Sequence, residues 1–270
     1  MATFYEHIEP KERFYTRVKT DGNFNHINEF GILNLTRDKK YEEVCPLQET
    51  GLIILTGSCD ILIGDRLFEG IGSRKSVFDG MPTAVYIPPG TKYSINSDNF
   101  AEVAICKTRC EPHDGPASLI LGEHVKVVRV GHDNWSREVR MIVGPDCGAK
   151  NMVIGETLNP PGNWSGTPPH RHENDNLPNE SLHEELYYFR TNKPQGWGME
   201  RIYSPERSIN ELIYITDNTV TFMPFGQHQV VAAPGYWLYY LFFLAGKGSR
   251  VAGFEDPEHK WIKSIDGGIR

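Results

Sequence analysis

Short runs of β-branched and aromatic residues, each closed by glycine, proline, serine or aspartate, recur along the whole chain. They cover residues 52–55, 60–63, 84–87 and 103–105 in the first half, and 153–154, 186–189, 220–223 and 239–243 in the second. Long segments with apolar residues at helical spacing are hard to find. Short strands separated by turn residues at regular intervals predict an all-β chain that forms a sandwich or a barrel.

A weak internal repeat predicts two such units in the 270 residues. Residues 87–93 parallel residues 223–228, because each segment follows a predicted strand with a Pro-x-Gly turn. Proline fixes φ in such a turn, and glycine permits a positive φ. A polar stretch rich in proline and glycine, residues 111–116, separates the two halves. We therefore expect an N-terminal domain over residues 1–115 and a C-terminal domain over residues 116–270.

The second half contains a His-x-His motif, His170 and His172, in a segment typical of a β-strand. Alternate residues of a strand point to the same face, so both imidazoles can bind one ion. Glu185 and His228, on later strands, complete a set of ligand types suited to a borderline divalent metal. For a single histidine an ordinary polar role is the better interpretation, but the combination favours a metal site with positions open for water or substrate. The first half has Tyr93 where the repeat has His228, and it has no His-x-His motif.

Glu184 competes with Glu185 for the carboxylate position, since neighbouring strand residues face opposite sides of a sheet. If Glu185 points inward, Tyr187 and Phe189 point inward as well. The opposite phase would place Arg190 inside, which costs free energy unless the guanidinium meets an anion. Glu185 is therefore the predicted ligand, and Glu184 remains the alternative.

Charge and apolar patterning argue against two classes of partner. A net charge of −7 is unfavourable for a nucleic-acid partner, which would require a basic surface. The longest apolar run, residues 237–245, is far too short to cross a membrane. The first residues lack the pattern of a signal peptide, and the five cysteines are scattered without metal-site spacing. We therefore expect free thiols and a cytoplasmic location, with no nucleic-acid or membrane partner.

The His-x-His, Glu and Pro-x-Gly-x-His set resembles the two motifs of the cupin superfamily, whose small β-barrels hold a metal through three histidines and one glutamate. An insertion after His172 separates the His-x-His motif from the glutamates, and a single residue separates Gly226 from His228. The sequence of residues 155–165, 168–172, 184–188 and 231–240 is similar to that of the 5-deoxy-glucuronate isomerase family of bacterial inositol catabolism. Phe225 and Gln227 stand where that family usually has arginine and tyrosine, which leaves the substrate specificity open.

The resemblance implies two jelly-roll cupin-type β-barrels, a bicupin, in which the N-terminal barrel is degenerate and has no metal ligands. It implies a metal-dependent aldose–ketose isomerase that converts 5-deoxy-D-glucuronate to 5-dehydro-2-deoxy-D-gluconate. The expected ion is zinc, manganese or iron, bound by His170, His172, Glu185 and His228. The expected partner is a small-molecule sugar-acid substrate. A barrel without ligands could serve for dimerisation, so a homodimer or a higher homo-oligomer is a further expectation.

Such an isomerisation moves a proton between adjacent carbons and requires a base, a stabiliser of the developing oxyanion and an anchor for the carboxylate. Besides a metal-bound hydroxide, the candidates for proton transfer are Glu184, Asp175, Tyr187 and Tyr240. A guanidinium pairs bidentately with a carboxylate, so the candidates for the anchor are Arg171, Arg201 and Arg207. Arg171 lies between two ligands on the strand and should face away from the metal. Arg201 is therefore the preferred anchor.

Three other functions fit the same residues. An isomerase of a related uronate is compatible with the two departures beside the last ligand. A His/Glu site with open positions also suits iron, so an iron-dependent cupin oxygenase is a second alternative. A sugar-sensing barrel without catalysis is a third, in keeping with a first half that has no ligands.

Overall fold

The structure is a computed structural model that describes residues 3–20 and 22–265. Its strands, in chain order, are β1 (Tyr5–His7), β2 (Tyr15–Arg17), β3 (Ile27–Thr36), β4 (Lys40–Val44), β5 (Gln48–Gly57), β6 (Cys59–Ile63), β7 (Arg66–Ile71), β8 (Thr83–Ile87), β9 (Lys92–Asn96), β10 (Phe100–Arg109), β11 (Ser118–Ile120), β12 (Lys126–Val130), β13 (Arg137–Val143), β14 (Met152–Asn159), β15 (Trp164–Arg171), β16 (His183–Thr191), β17 (Gly198–Ser204), β18 (Ile209–Ile215), β19 (Thr219–Met223), β20 (Gln227–Ala232), β21 (Leu238–Gly246) and β22 (Phe254–Glu255). The helical elements of the described residues are short 3₁₀ turns at Pro10–Glu12, Gly122–His124, Asp133–Trp135, Pro145–Cys147, Pro205–Arg207 and Lys260–Ser264.

The prediction of an all-β chain is confirmed. Every run of β-branched and aromatic residues named above lies within one of these strands. Pro-x-Gly turns end at Gly90 and Gly226, both with positive φ, as the repeat predicts. None of the helices in the described part of the chain is long and apolar enough to cross a membrane.

The described residues form two compact units, each assembled from separate segments of the chain. Unit 1 contains residues 3–7, 127–140 and 155–265, and unit 2 contains the described residues within 8–126 and 141–154. The boundary between residues 115 and 116 stays a prediction.

Unit 2 is built on a six-stranded sheet in the order β11-β8-β5-β10-β3-β2 and a four-stranded sheet in the order β4-β9-β6-β7. Alternate residues of the long strands β3, β5 and β10 meet in an apolar core, which includes Leu33, Ile54, Val103 and Ile105. These side chains are 1% exposed or less. Burial of that much apolar surface is the main stabilising contribution to such a barrel.

Unit 2 also contains a buried ion cluster around Lys107, whose exposed fraction is 1%. The Lys107 ammonium lies 2.7 Å from a carboxylate oxygen of Glu29 and 2.7 Å from one of Glu43. Burial disfavours the charged lysine, but the two carboxylates outweigh it and raise the pKa of Lys107. Three tyrosine hydroxyls donate to the same carboxylates, those of Tyr15, Tyr41 and Tyr93.

Unit 1 contains a five-stranded sheet in the order β18-β17-β20-β15-β22 and the strands β1, β19, β16 and β21 of a seven-stranded sheet. All the pairings between these strands are antiparallel. In the first sheet, His170 of β15 pairs with His228 of β20. In the second, Glu185 of β16 pairs with Met223 of β19 and Leu244 of β21. The register of these strands therefore determines where the predicted metal ligands lie.

Candidate metal centre

The structure brings the four predicted ligands together in unit 1. One ligand atom each from His170, His172, Glu185 and His228 lies within 4.8 Å of the other three. His170 ends its strand opposite His228, and His172 follows just beyond the end of β15. Three of the four side chains are buried, and His170 is half-buried. The His-x-His spacing and the Pro-x-Gly turn thus position three imidazoles around one carboxylate.

Two of the ligand atoms lie close together but form no hydrogen bond with each other. Glu185 Oε2 lies 3.0 Å from His228 Nε2 and 3.7 Å from His172 Nδ1. Within the described residues, neither Glu185 Oε2 nor His228 Nε2 has a hydrogen-bond partner, although both atoms are buried. Buried polar atoms without partners are costly, and a cation between them would satisfy both. Three imidazole nitrogens and one carboxylate oxygen fit a divalent transition metal with open coordination positions.

The protonation of the imidazoles favours metal binding at two positions. Burial lowers the pKa of His170 to about 3, and the positive charges of His228 and Arg137 lower it further. Burial likewise lowers the pKa of His172 well below its usual value. Both rings are therefore neutral at neutral pH, which is the form that binds metals. Burial also disfavours charged His228, but the Glu185 carboxylate outweighs it and raises the pKa of His228.

Contacts with neighbouring residues hold the metal ligands, and the segments next to them, in position. A Cβ at Gly253 would lie 2.8 Å from Cδ2 of the His170 ring, so this position does not accept a side chain without displacing the ligand. The Glu173 carboxylate of the insertion accepts a hydrogen bond of 2.6 Å from the Gly226 N–H group, which links the insertion to the Pro-x-Gly turn. His183 is buried, and its two ring nitrogens bond Ser181 and the Gly248 carbonyl. Both ring nitrogens of His183 are thus already used in hydrogen bonds.

Aromatic side chains line the same face as Glu185. The Tyr187 ring lies 5.7 Å from the His228 ring and 4.5 Å from the Tyr240 ring, and Phe189 packs against both tyrosines. The predicted inward phase of Glu185, Tyr187 and Phe189 is thus the one the structure has. Tyr240 Oη lies 2.5 Å from the Ser165 hydroxyl. Burial raises the pKa of Tyr187 and of Tyr240.

Glu200 is a carboxylate of the site that the sequence did not single out. It pairs across the strands with Val230, two residues from His228, so its side chain shares a face with that ligand. Glu200 is fully buried, and in the described part of the chain neither of its carboxylate oxygens has a hydrogen-bond partner. Burial raises the pKa of Glu200 to about 8, and the nearby Thr221 hydroxyl and the charge of His228 only partly oppose the rise. The strand segment 198–204 has no regular alternation of polar and apolar residues, so the sequence alone left its inward face undetermined.

The other predicted catalytic residues do not join this cluster. Glu184 is buried on the face opposite to Glu185, since the two are neighbours on one strand. Asp175 is exposed and forms an ion pair of 3.0 Å with Lys247. Arg201 is on the face opposite to Glu200, where it donates to Asn210 and lies over the Tyr203 ring.

The two other candidate anchors are engaged with protein carboxylates. Arg171 forms ion pairs with Glu180 and Glu206. Arg207 forms an ion pair with Glu173 and lies 4.0 Å from the centre of the Phe225 ring. Neither Arg171 nor Arg207 therefore offers an uncompensated guanidinium to a ligand.

Phe225 and Gln227, the two residues near His228 that differ from the family's usual sequence, have side chains that face away from His228. Gln227 precedes His228 on β20 and faces the other side of the sheet, where it pairs with Tyr203. The Phe225 ring contacts the Phe4 ring edge-on at 6.0 Å and carries the Arg207 guanidinium on its face. Phe225 therefore belongs to an aromatic and cationic stack outside the ligand cluster.

A second group of metal-ligand types, Glu49, Cys110 and His113, lies in unit 2. Both ring nitrogens of His113 already take part in hydrogen bonds. The Gly115 N–H group donates to His113 Nδ1, so Nε2 carries the proton and donates to the Tyr86 hydroxyl at 3.1 Å. Tyr86 in turn donates to Glu49, which also accepts two backbone N–H groups. This group is a satisfied hydrogen-bond network.

Solved structures with the same fold support a chain of two cupin-type β-barrels. An IolB-like protein from Salmonella typhimurium LT2 superposes with a TM-score of 0.91 at 25% identity, over 97% of this chain and 100% of that one. The oxalate decarboxylase of Lactobacillus farciminis superposes with a TM-score of 0.67 at 11% identity, over 98% of this chain and 91% of that one. The second likeness shows the fold alone. The predicted bicupin fold is confirmed.

Sequence relatives cover almost the whole chain. The 5-deoxy-glucuronate isomerase of Bacillus licheniformis is 35% identical over 246 residues, which are 90% of each chain. The 5-deoxy-glucuronate isomerase of Bacillus subtilis is 35% identical over 236 residues, which are 87% of each chain. The model of the KduI/IolB family matches residues 4–262. This chain belongs to the KduI/IolB family.

Proposed function

We propose that the chain is a 5-deoxy-glucuronate isomerase, which converts 5-deoxy-D-glucuronate to 5-dehydro-2-deoxy-D-gluconate. The observation that carries the proposal is the buried convergence of His170, His172, Glu185 and His228 around atoms without hydrogen-bond partners. The names of relatives that cover 90% of the chain support the substrate. The net charge of −7 gives no general attraction for an anionic sugar acid, so a local cation has to bind its carboxylate.

The proposed cofactor is a divalent zinc, manganese or iron ion held by His170, His172, Glu185 and His228. When bound, such an ion acts as a Lewis acid that polarises a carbonyl and a neighbouring hydroxyl group of a substrate. The chain contributes the shape of the site: Gly253 leaves room for the His170 ring, and the insertion is tied to the turn before His228.

The proton transfers of the proposed reaction fall to Glu200 and Tyr240. Glu200 takes the proton from C2 of the aldose and returns it to C1, and the electron pair of the broken C–H bond passes through an enediol. Tyr240 moves the hydroxyl proton from the oxygen on C2 to the oxygen on C1, so atoms and charge balance. A carboxyl group whose pKa is raised toward neutrality can both accept and return a proton. Glu200 replaces Glu184 and Asp175 in this proposal because it shares a face with His228.

We further propose that the protein is cytoplasmic and acts in inositol catabolism, as the family resemblance implies. The direct test is incubation of the metal-loaded protein with 5-deoxy-D-glucuronate, followed by NMR of aldehyde loss and ketone gain. We expect conversion that a chelator abolishes and that one of zinc, manganese or iron restores. Absence of conversion with all three ions would refute the substrate.

The alternatives are separated in the same experiment. Oxygen uptake with the substrate would indicate an iron-dependent oxygenase. Turnover of a related uronate, with none of 5-deoxy-D-glucuronate, would keep the isomerase chemistry and change the substrate. If His170→Ala retained full turnover, the ligand cluster would have no part in the reaction.

A further inference from the structure

A cavity of about 610 Å³ opens beside His170 in unit 1. The residues of its wall that matter here are Trp135, Arg137, Thr167, His170, Glu255 and Lys263. The cavity is of the size that binds small molecules. Besides the proposed metal ligand His170, the wall thus contains an aromatic ring, one acidic side chain and two basic ones.

Arg137 is the group of this wall whose charge lacks a carboxylate partner. Within the described residues, its one hydrogen bond runs from Nη1 to the Trp135 carbonyl at 3.3 Å, and its buried Nε has no partner. Arg140, three residues further along the chain, has two carboxylate partners, Glu138 and Glu156, each at 2.8 Å. Burying part of a guanidinium without an anion costs free energy, so the uncompensated charge of Arg137 destabilises the folded protein.

The other lysine or arginine of the cavity wall, Lys263, forms an ion pair with Glu255. An anion that entered the cavity would therefore find the guanidinium of Arg137 uncompensated.

Arg137 and the proposed metal ligand His170 line the same cavity, so a molecule bound by the guanidinium lies beside the ligand cluster.

We propose that Arg137 binds the carboxylate of an open-chain sugar acid in this cavity and thereby selects acidic over neutral sugars. The inference rests on the proposed function and names the residue that recognises the far end of its substrate. A guanidinium binds a carboxylate through two parallel hydrogen bonds, which a hydroxymethyl group at the same position would not reproduce. The aldehyde end of the same molecule then extends toward His170.

The test compares D-gluconate with D-glucitol, which differ by a carboxylate in place of a hydroxymethyl group. Binding of both to the metal-loaded protein is measured by calorimetry for the natural chain and for Arg137→Met. We expect gluconate to bind at least about tenfold more tightly than glucitol, since charge-assisted hydrogen bonds are the strong ones. Arg137→Met should remove this difference and leave glucitol binding unchanged. Arg66→Met, in unit 2, is the matched control, because Arg66 is exposed and rests on the Phe68 ring.

Arg137→Lys covers the case in which the methionine variant does not fold. Lysine keeps the charge without the planar fork, so gluconate affinity should fall severalfold while glucitol affinity stays the same. Gluconate affinity equal to that of the natural chain in either variant would overturn the proposal. An equal loss for gluconate and glucitol would overturn it as well, because it would mean that Arg137 only supports the wall.

The two proposals fail separately. If 5-deoxy-D-glucuronate is not isomerised but gluconate preference depends on Arg137, the anchor stands and the reaction does not. If isomerisation is observed and its KM is unchanged in Arg137→Met, the reaction stands and the anchor does not. We expect KM to rise more than kcat falls, since the anchor contacts a part of the substrate that does not react.

Discussion

The carboxylate of Glu185 and the imidazole of His228 approach to 3.0 Å through atoms that, among the residues described, make no hydrogen bond. They are contributed by strands of two different sheets, β16 and β20. An unsatisfied buried polar group costs about 1–3 kcal/mol. Because a bound ion would remove this cost, we expect it to stabilise the fold as well as to take part in the reaction.

Removal of one ligand should empty the site. We expect His228→Ala to bind zinc, manganese or iron at least about a hundredfold more weakly, because loss of a supporting residue alone costs 10–100-fold. Metal content by mass spectrometry and affinity by competition with a chelator measure this. His124→Gln, at an exposed position, is the control and should retain the metal. Full metal content in His228→Ala would contradict the ligand set.

Metal binding should release a proton, and most of it should come from His228. The pKa of His228 is raised by Glu185, whereas those of His170 and His172 are lowered, so His228 is the ring that holds a proton at mildly acidic pH. Calorimetry in buffers of different ionisation enthalpy should therefore show about one proton released per ion at pH 6 and fewer at higher pH. Release that stays constant from pH 6 to 9 would contradict this assignment.

Glu200→Gln should change how the stability of the metal-free protein depends on pH. The pKa of Glu200 is about 8 in the folded protein and 4.5 in its ordinary state, so between these values the folded chain holds a proton that the unfolded chain has lost. Stability should therefore fall as pH rises through this window, by up to about 1.4 kcal/mol per pH unit. Glu200→Gln should lack this contribution. Urea unfolding in a chelator at pH 5, 7 and 8.5 measures the difference.

The same variant tests the role in proton transfer. Loss of the group that moves the proton should lower kcat by about 10²–10⁴-fold while the metal stays bound. Arg201→Met, on the opposite face of the same strand, provides the comparison for the strand itself. In the unfolding experiment, the same dependence of stability on pH in Glu200→Gln and in the natural chain would show that Glu200 titrates normally.

Lys107→Met should destabilise unit 2 strongly. It would leave Glu29 and Glu43 in the cluster without their ammonium, and breaking a buried ion pair on one side costs about 3–5 kcal/mol. Lys92→Met removes an exposed ion pair with Glu42 and should cost less than about 1 kcal/mol. Thermal or denaturant unfolding measures both. Equal effects of the two substitutions would mean that the buried cluster is not held together by Lys107.

Phe225→Arg, which restores the residue usual in the family, should leave the substrate preference unchanged. Phe225 contacts Phe4 edge-on and Arg207 through its face, outside the ligand cluster, so the expected change in kcat/KM is less than about threefold. A second cation beside Arg207 should lower stability by about 1 kcal/mol. Phe225→Leu removes the ring without adding charge and separates the two effects. A tenfold change in preference between uronates would contradict the placement of this residue.

The sequence predicted those parts of the site that depend on local spacing. The alternation of a strand fixes the common face of His170 and His172, and a Pro-x-Gly turn fixes where His228 enters its strand. The inward phase of Glu185 followed from the cost of burying Arg190. Each of these inferences needed only neighbours in sequence and the geometry of a pleated strand.

The sequence did not predict groups that reach the site through pairing between distant strands. Glu200 faces the ligands because of its register with β20, and no pattern in residues 198–204 specifies that register. Arg137 lies more than thirty residues before His170 in a segment without a motif, and its importance comes from a missing partner, which only a structure can show. The anchor predicted at Arg201 instead lies on the opposite face of the strand from Glu200.

The interleaving of the two units has a consequence for the order of events during synthesis. Unit 1 takes residues from before and after unit 2, and β1, made first, pairs with β19, made more than two hundred residues later. At a translation rate of about 5–20 residues per second, the first strand waits on the order of ten seconds or more for its partner. Unit 2 lacks its last segment until residue 154 has left the ribosome. The nascent chain therefore carries an unpaired strand for most of its synthesis, and the metal ligands, all beyond residue 169, assemble only near its end.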